Sequence, residues 1–98
     1  SFGAAVVLDG YKACKQSRKF VLISPPPKSF NKSNFIHDKR SLLIITGEND
    51  LLAPPEKLMP IIDIYKSKPI LKVIKGADFS LIGHENEIGD TISEYAMN

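Results

Sequence analysis

The sequence has little of what would assign a chain to a class at once. Its 98 residues include a single cysteine, Cys14, which cannot form an internal disulfide, so we expect a reducing, cytoplasmic location. No apolar run approaches the ~20 residues that a membrane-spanning helix needs. The formal net charge is only +2, and the lysines are scattered rather than gathered into the basic face of a nucleic-acid-binding protein. These absences predict that neither a membrane nor a nucleic acid is a partner.

Cofactor and metal signatures are also missing. No G-x-G-x-x-G or P-loop pattern follows an apolar segment, which argues against a nucleotide-binding domain. Neither Cys14 nor Asp78 has a partner at metal-ligand spacing. Cys14 is more typical of a small buried hydrophobe, and Asp78 of a turn or cap residue. We therefore predict no cofactor and no metal site.

What the sequence does contain is the composition of a folded protein. Hydrophobic residues make up 43% of the chain, a fraction typical of globular proteins and not of disordered ones. The length suits one small domain or part of a larger one. Because no internal repeat or linker is visible, we expect residues 1–98 to form a single unit.

Short apolar runs alternate with helical patterns along this unit. Three runs, each followed by proline or glycine, are typical of buried parallel strands: residues 20–24, 42–46 and 70–75. Three segments have the apolar pattern of helices that pack on a sheet: residues 2–14, 55–66 and 84–96. The alternation predicts an α/β fold in three α/β/α layers, with about three parallel strands flanked by helices.

The connection between the first two predicted strands is unusual. Residues 25–40 are rich in proline and asparagine, and they form a longer link than an ordinary connection between elements. Phe30, Phe35 and Ile36 supply apolar side chains that could fold this link down over the end of the sheet. We therefore predict a small cap-like connection here.

Four short stretches, in chain order, carry a shared pattern. They are Ser-Phe-Gly-Ala-Ala at residues 1–5, Val-Leu-Ile-Ser-Pro-Pro at 21–26, Leu-Ile-Ile-Thr-Gly-Glu-Asn-Asp-Leu-Leu-Ala-Pro at 43–54 and Val-Ile-Lys-Gly-Ala-Asp at 73–78. The first resembles the second half of the nucleophile elbow G-x-S-x-G, a sharp strand-to-helix turn that exposes a serine. Together they resemble the C-terminal half of an α/β hydrolase of the compact type with little or no lid. This resemblance covers nearly the whole chain and implies a partial domain.

The resemblance implies a catalytic serine, acid and histidine. The nucleophile falls on Ser1, and the acid falls on Asp50, whose role would be to orient and stabilise a protonated histidine. Simpler interpretations stay open, because Ser1 could be a boundary residue and Asp50 part of a polar turn. A free N-terminal serine that uses its own α-amine as base is a further, chemically distinct alternative.

The histidine is where this sequence departs from the family. The family pattern Gly-Ala-Asp-His corresponds here to Gly-Ala-Asp-Phe at residues 76–79, and Phe79 cannot accept a proton. His84, near the start of the last predicted helix, is the candidate substitute, but its imidazole must come within ~3 Å of the serine hydroxyl. His37, in the cap-like connection, is a weaker candidate for the same role.

Two functional hypotheses follow from these residues. The first is an esterase-like serine hydrolase that acts on a small-molecule acyl substrate. This chain alone should then be inactive or nearly so, because the upstream loop that supplies an oxyanion-hole amide is not in the sequence. The second is a non-catalytic α/β-hydrolase-like binding or scaffold protein, and the feature that motivates it is Phe79 at the histidine position.

Self-association is a further expectation of the resemblance. The strand that precedes an elbow serine would lie beside residues 20–24. Without it, the sheet would expose an apolar edge with unpaired amides, which favours pairing with another chain. We therefore expect a homo-oligomer formed through this sheet edge.

Overall fold

The computed structural model describes residues 4–9, 18–30 and 41–97, and these residues contain a four-stranded sheet. The strands stand in chain order: β1 (Ala4–Asp9), β2 (Arg18–Ile23), β3 (Ser41–Gly47) and β4 (Ile70–Ile74). Strands β2, β3 and β4 are parallel, whereas β1 runs antiparallel to β2. Two α-helices complete the described fold: α1 (Pro55–Asp63) between β3 and β4, and α2 (Glu85–Met97) after β4.

Strand β3 lies at the centre of the packing. Its successive residues Leu43, Ile44 and Ile45 are all buried, because helices cover both faces of the sheet. Leu43 and Ile45 belong to the core on the α2 side, which contains Tyr95 of that helix. Ile44 belongs to the core on the α1 side. This alternation confirms the predicted three-layer α/β/α arrangement and its three parallel strands.

The first segment differs from its prediction. A helix was expected over residues 2–14, but residues 4–9 form β1, whose register pairs Ala4 with Ile23 and Asp9 with Arg18. The physical reason is twofold. Consecutive β-branched valines in this run favour an extended backbone, and the outer edge of β2 carries amides and carbonyls that need partners. The edge that was expected to be open is therefore paired within the chain, and self-association stays a prediction.

The connection after β2 is described only in part. Residues Pro27–Ser29 form a short 3-10 helix, and Phe30 packs against the core on the α1 side. Phe35 and Ile36 lie outside the described residues, so the rest of the cap-like connection stays a prediction. Neither of the described helices is long and apolar enough to cross a membrane.

Candidate active site

The side chain of Asp50 is fixed at the carboxyl end of β3. It is only 1% exposed, and its Oδ1 accepts hydrogen bonds from the backbone amides of Leu52 and Ala53, both at 2.8 Å. Its Oδ2 is also buried, but no hydrogen-bond partner for this oxygen is found among the described residues. One carboxyl oxygen therefore anchors the side chain, while the other lacks, among the residues that the structure describes, the partner that buried polar atoms normally have.

Hydrogen bonds at its start and at its end fix the turn that carries Asp50. The Asp50 amide donates to the carbonyl of Gly47 at 3.2 Å. The buried hydroxyl of Thr46 donates to the carbonyl of Ala53 at 2.6 Å, which ties the end of the strand to the end of the turn. Pro54 directly precedes the first turn of α1. Because it has no backbone N–H, it cannot donate a hydrogen bond to a neighbouring strand. We call residues 47–53 the acid turn.

The acid turn is bonded to the loop that follows β4. The amide of Asn49 donates to the carbonyl of Ala77 at 2.8 Å, and the amide of Glu48 donates to the carbonyl of Ile74 at 3.0 Å. In return, the amide of Gly76 donates to Oε1 of Glu48 at 2.8 Å. The carboxyl ends of β3 and β4 therefore hold the two loops side by side, which is where parallel sheets place functional groups.

A close backbone approach explains why residue 47 is glycine. A Cβ at this position would lie 2.4 Å from the carbonyl oxygen of Ala77 and 2.8 Å from that of Asp78. Both neighbours are backbone atoms, which cannot move aside without shifting the loop. Gly47 thus permits the contact between the acid turn and the loop after β4.

The loop that follows β4 contains residue 79, to which the sequence resemblance assigns the histidine, and we call residues 76–84 the base loop. Phe79 occupies that position and is 51% exposed. The preceding Asp78 closes a small turn, because its Oδ1 accepts hydrogen bonds from the Ser80 amide at 2.9 Å and the Ser80 hydroxyl at 2.7 Å. These two bonds, the hydroxyl first, lower the pKa of Asp78 below its usual value.

His84 lies at the far end of the base loop, directly before α2. Its carbonyl accepts the amide of Ile88 at 3.0 Å, so the residue joins the first turn of the helix. Its Nδ1 is 3.9 Å from Oε1 of Glu87, and the other carboxyl oxygen of Glu87, Oε2, is 3.5 Å from the ammonium group of Lys72. Within the described residues, Glu87 and not Asp50 is the acidic neighbour of this imidazole. The structure therefore does not bring His84 and Asp50 together.

The remaining candidates for the site lie outside the described residues. Ser1 and His37 are both in this group, so the predicted nucleophile and the weaker base candidate stay predictions. The helix expected to follow an elbow serine is not present over residues 4–9, which form β1. No group of three or more histidine, cysteine or acidic side chains that could hold a metal ion occurs within the part of the chain that the structure describes.

Ser24 is a residue that the sequence interpretation passed over. It directly follows β2, its amide donates to the carbonyl of Ile45 at 2.7 Å, and its φ of +51° is uncommon for a residue other than glycine. Its side chain is buried, and no partner for its hydroxyl is found among the described residues. Such strain is often found near functional sites. In the sequence, the feature that could have drawn attention to Ser24 is its position between an apolar strand and Pro25.

No protein-family model matches the sequence, and no curated protein sequence matches it. Solved structures do match. One is an α/β serine hydrolase homologue from Coxiella burnetii, with a TM-score of 0.69 and 18% identity. Another is a candidate α/β hydrolase from Agrobacterium tumefaciens, with a TM-score of 0.68 and 23% identity. A third is a member of the α/β serine hydrolases without a lid from Xanthomonas campestris, with a TM-score of 0.58 and 16% identity.

These similarities show the fold of the chain. The first two matches cover 79% of this chain and 37% of theirs, and the third covers 76% and 36%. The chain therefore has an α/β-hydrolase fold and spans little more than a third of the length of those proteins. At this level of identity, the similarity shows the fold alone.

Proposed function

We propose that this chain is part of a serine hydrolase that cleaves esters or related acyl compounds, with Ser1 as nucleophile and Asp50 as the acid. The observation that supports the proposal is the environment of Asp50. This carboxyl group is buried at the end of a central parallel strand, and two backbone amides fix its Oδ1. Its Oδ2 is left for a donor that the described residues do not supply.

A catalytic acid must be held in one orientation and must keep one carboxyl oxygen available to the histidine. A triad acid must hold an imidazole in one tautomer and stabilise the imidazolium that forms when the serine loses its proton. The two amides on Oδ1 of Asp50 prevent the side chain from rotating. Because a buried oxygen without a partner is unfavourable, Oδ2 favours the approach of an N–H donor such as the Nδ1–H of histidine.

The proposed reaction also needs a general base that accepts the proton of the serine hydroxyl. Phe79 cannot act, because its side chain carries no proton acceptor. His84 is the histidine within the described residues. To serve as base it must leave Glu87, and its imidazole must reach the serine hydroxyl. The adjacent Gly83, with a φ of +89°, gives the chain a point at which the loop can turn.

Covalent labelling with a fluorophosphonate tests the proposal directly, because these reagents react with activated serines. In the full-length protein, labelling should occur at Ser1, vanish in Ser1→Ala and fall by at least ~10²-fold in Asp50→Ala. His84→Ala and His37→Ala identify the base, since the catalytic histidine is the one whose loss removes labelling. Absence of labelling in the wild type would contradict the proposal and leave the non-catalytic alternative.

A further inference from the structure

A groove of about 520 Å³ opens directly beside the acid turn. Its lining consists of Leu51 and Leu52 from that turn, three prolines, and two lysines, Lys28 and Lys57. A volume of this size falls within the range of small-molecule sites. The groove therefore places an apolar surface with two cationic side chains next to the turn that carries the proposed catalytic acid.

The apolar part of the groove is exposed. Leu51 is 90% exposed and Leu52 is 49% exposed, although both immediately follow the buried Asp50. Neighbouring large apolar side chains that face solvent are typical of surfaces that receive a ligand. A ligand chain bound along these leucines would contact the turn that carries Asp50.

The walls of the groove are built from rigid backbone. On one side, the Ser29 amide and hydroxyl both donate to the carbonyl of Pro26, at 2.9 and 2.6 Å, and close the 3-10 turn. On the other side, the carbonyl of Pro54 accepts the amides of Lys57 and Leu58, at 3.0 and 3.2 Å. Because prolines fix φ on both sides, the groove needs little ordering when a ligand binds.

The described residues that line the groove carry charge of one sign. Among them, Lys28 and Lys57 are cationic and none is acidic. Within the described residues, neither lysine forms an ion pair, whereas Lys68 pairs with Asp63 at 3.4 Å elsewhere on the surface. Two ammonium groups beside an apolar surface complement a ligand that combines a hydrocarbon chain with a negative charge.

We propose that this groove binds the acyl chain of the substrate and selects chains that carry an anionic group. The leucines contact the hydrocarbon, and Lys28 and Lys57 contact the charge. This inference rests on the proposed function, since it names the class of substrate for the same site. The substrate is then an ester whose acyl part is apolar along its length and bears a carboxylate or a similar anion.

Ligand binding measured without any reaction tests this assignment. Decanoate and 1-decanol share a chain and differ in charge, so each is titrated into this chain and followed by amide chemical shifts. Both should shift the amides of Leu51 and Leu52, and decanoate should bind about five- to tenfold more tightly, as two exposed charge contacts allow. The difference should shrink as salt is added.

A double variant isolates the two lysines. In Lys28→Gln/Lys57→Gln the preference for decanoate should disappear, while 1-decanol binds as before. The matched control is Lys66→Gln/Lys75→Gln, which removes two exposed lysines that do not line the groove and should keep the preference. Equal affinity for the two ligands in the wild type, or a preference that survives the first double variant, would overturn the charge selection.

Other occupants of the groove are distinguished by the same titration. Shifts of Leu51 and Leu52 that depend on protein concentration without ligand would assign the groove to a second copy of the chain and overturn the proposal. Absence of decanoate binding would also overturn it. If Ser1 is labelled by the fluorophosphonate in that case, only the substrate class is wrong. If decanoate binds but labelling fails, the proposed hydrolase function is wrong.

Discussion

The acid turn and the base loop follow neighbouring parallel strands, yet they are built in different ways. In the acid turn, Asp50 and Ala53 are buried, and the Asp50 side chain is held by backbone amides. In the base loop, Asp78 and Phe79 are exposed, and Asp78 is held by the side chain and amide of Ser80, two residues away. Both carboxylates close a local turn, but that of Asp50 is buried at the end of the sheet and that of Asp78 lies at the surface.

This difference predicts that the side chain at residue 79 can be changed without loss of the fold. The base loop is attached to the sheet through backbone atoms, such as the carbonyl of Ala77 and the Ile74 carbonyl that accepts the Ala77 amide at 3.2 Å. Neither contact depends on the side chain at residue 79. Asp50, in contrast, contributes the side-chain acceptor around which its turn is formed. The local fold therefore depends on the side chain of Asp50 but not on the side chain at residue 79.

The contact between the two regions is the most sensitive point of this arrangement. Gly47→Ala places a methyl group 2.4 Å from the carbonyl oxygen of Ala77, so the loops must separate. We expect a loss of at least ~3 kcal/mol in the free energy of unfolding. Urea denaturation followed by circular dichroism measures this change.

Gly89→Ala is the matched control for that substitution. Gly89 lies inside α2, and a Cβ there would meet nothing within 4 Å. This variant should gain about 1 kcal/mol, because alanine is the better helix former. A Gly47→Ala protein as stable as the wild type would show that the two loops do not depend on their close approach.

Replacing the two aspartates compares the regions directly. Asp50→Ala leaves the amides of Leu52 and Ala53 without their acceptor in a buried turn, and should lower the free energy of unfolding by about 2 kcal/mol. Asp50→Asn keeps an oxygen for these amides and should lose less. Asp78→Ala removes a similar pair of hydrogen bonds at an exposed position, where water can replace them, and should change stability little. Equal losses in urea denaturation for Asp50→Ala and Asp78→Ala would remove the distinction between the regions.

Much of the fold could be predicted because its signals are local. The apolar runs of β2, β3 and β4 are short and end at proline or glycine, and α1 begins at Pro55 as expected. The prediction failed for β1, because a run of small apolar residues fits either a helix or a strand. The choice was decided by pairing with β2, a partner distant in sequence.

The position of Asp50 just after a buried strand was predictable from the sequence, whereas its surroundings were not, and its catalytic role stays a prediction. The pattern around Asp50 indicated an acid at a strand end, and the buried environment agrees with that position. Whether Oδ2 has a hydrogen-bond partner depends on how the turn folds around Oδ1. The spacing of residues in the sequence does not specify this. The left-handed backbone of Ser24 was equally hidden, because a serine before a proline normally favours an extended conformation.

The smallest expected effect concerns the internal closure of the base loop. Ser80→Ala removes the hydroxyl that contributes most to lowering the pKa of Asp78, so this pKa should rise toward the usual value while the Ser80 amide still lowers it. Because the folded pKa is depressed, Asp78 contributes stability above its unfolded pKa and loses it as the pH falls through the folded value. The Ser80→Ala protein should therefore show a weaker loss of stability in this acidic range.

Carbon-detected NMR titration of the Asp78 carboxyl group measures that pKa shift, with Ser93→Ala as the control. Ser93 is an exposed serine of α2, outside the base loop, and its loss should leave the Asp78 pKa unchanged. An Asp78 pKa that is the same in Ser80→Ala and the wild type would mean that this hydroxyl does not close the loop. The conformation of the base loop would then depend on its backbone contacts with the sheet, as that of the acid turn does. The two regions would differ only in the burial of Asp50.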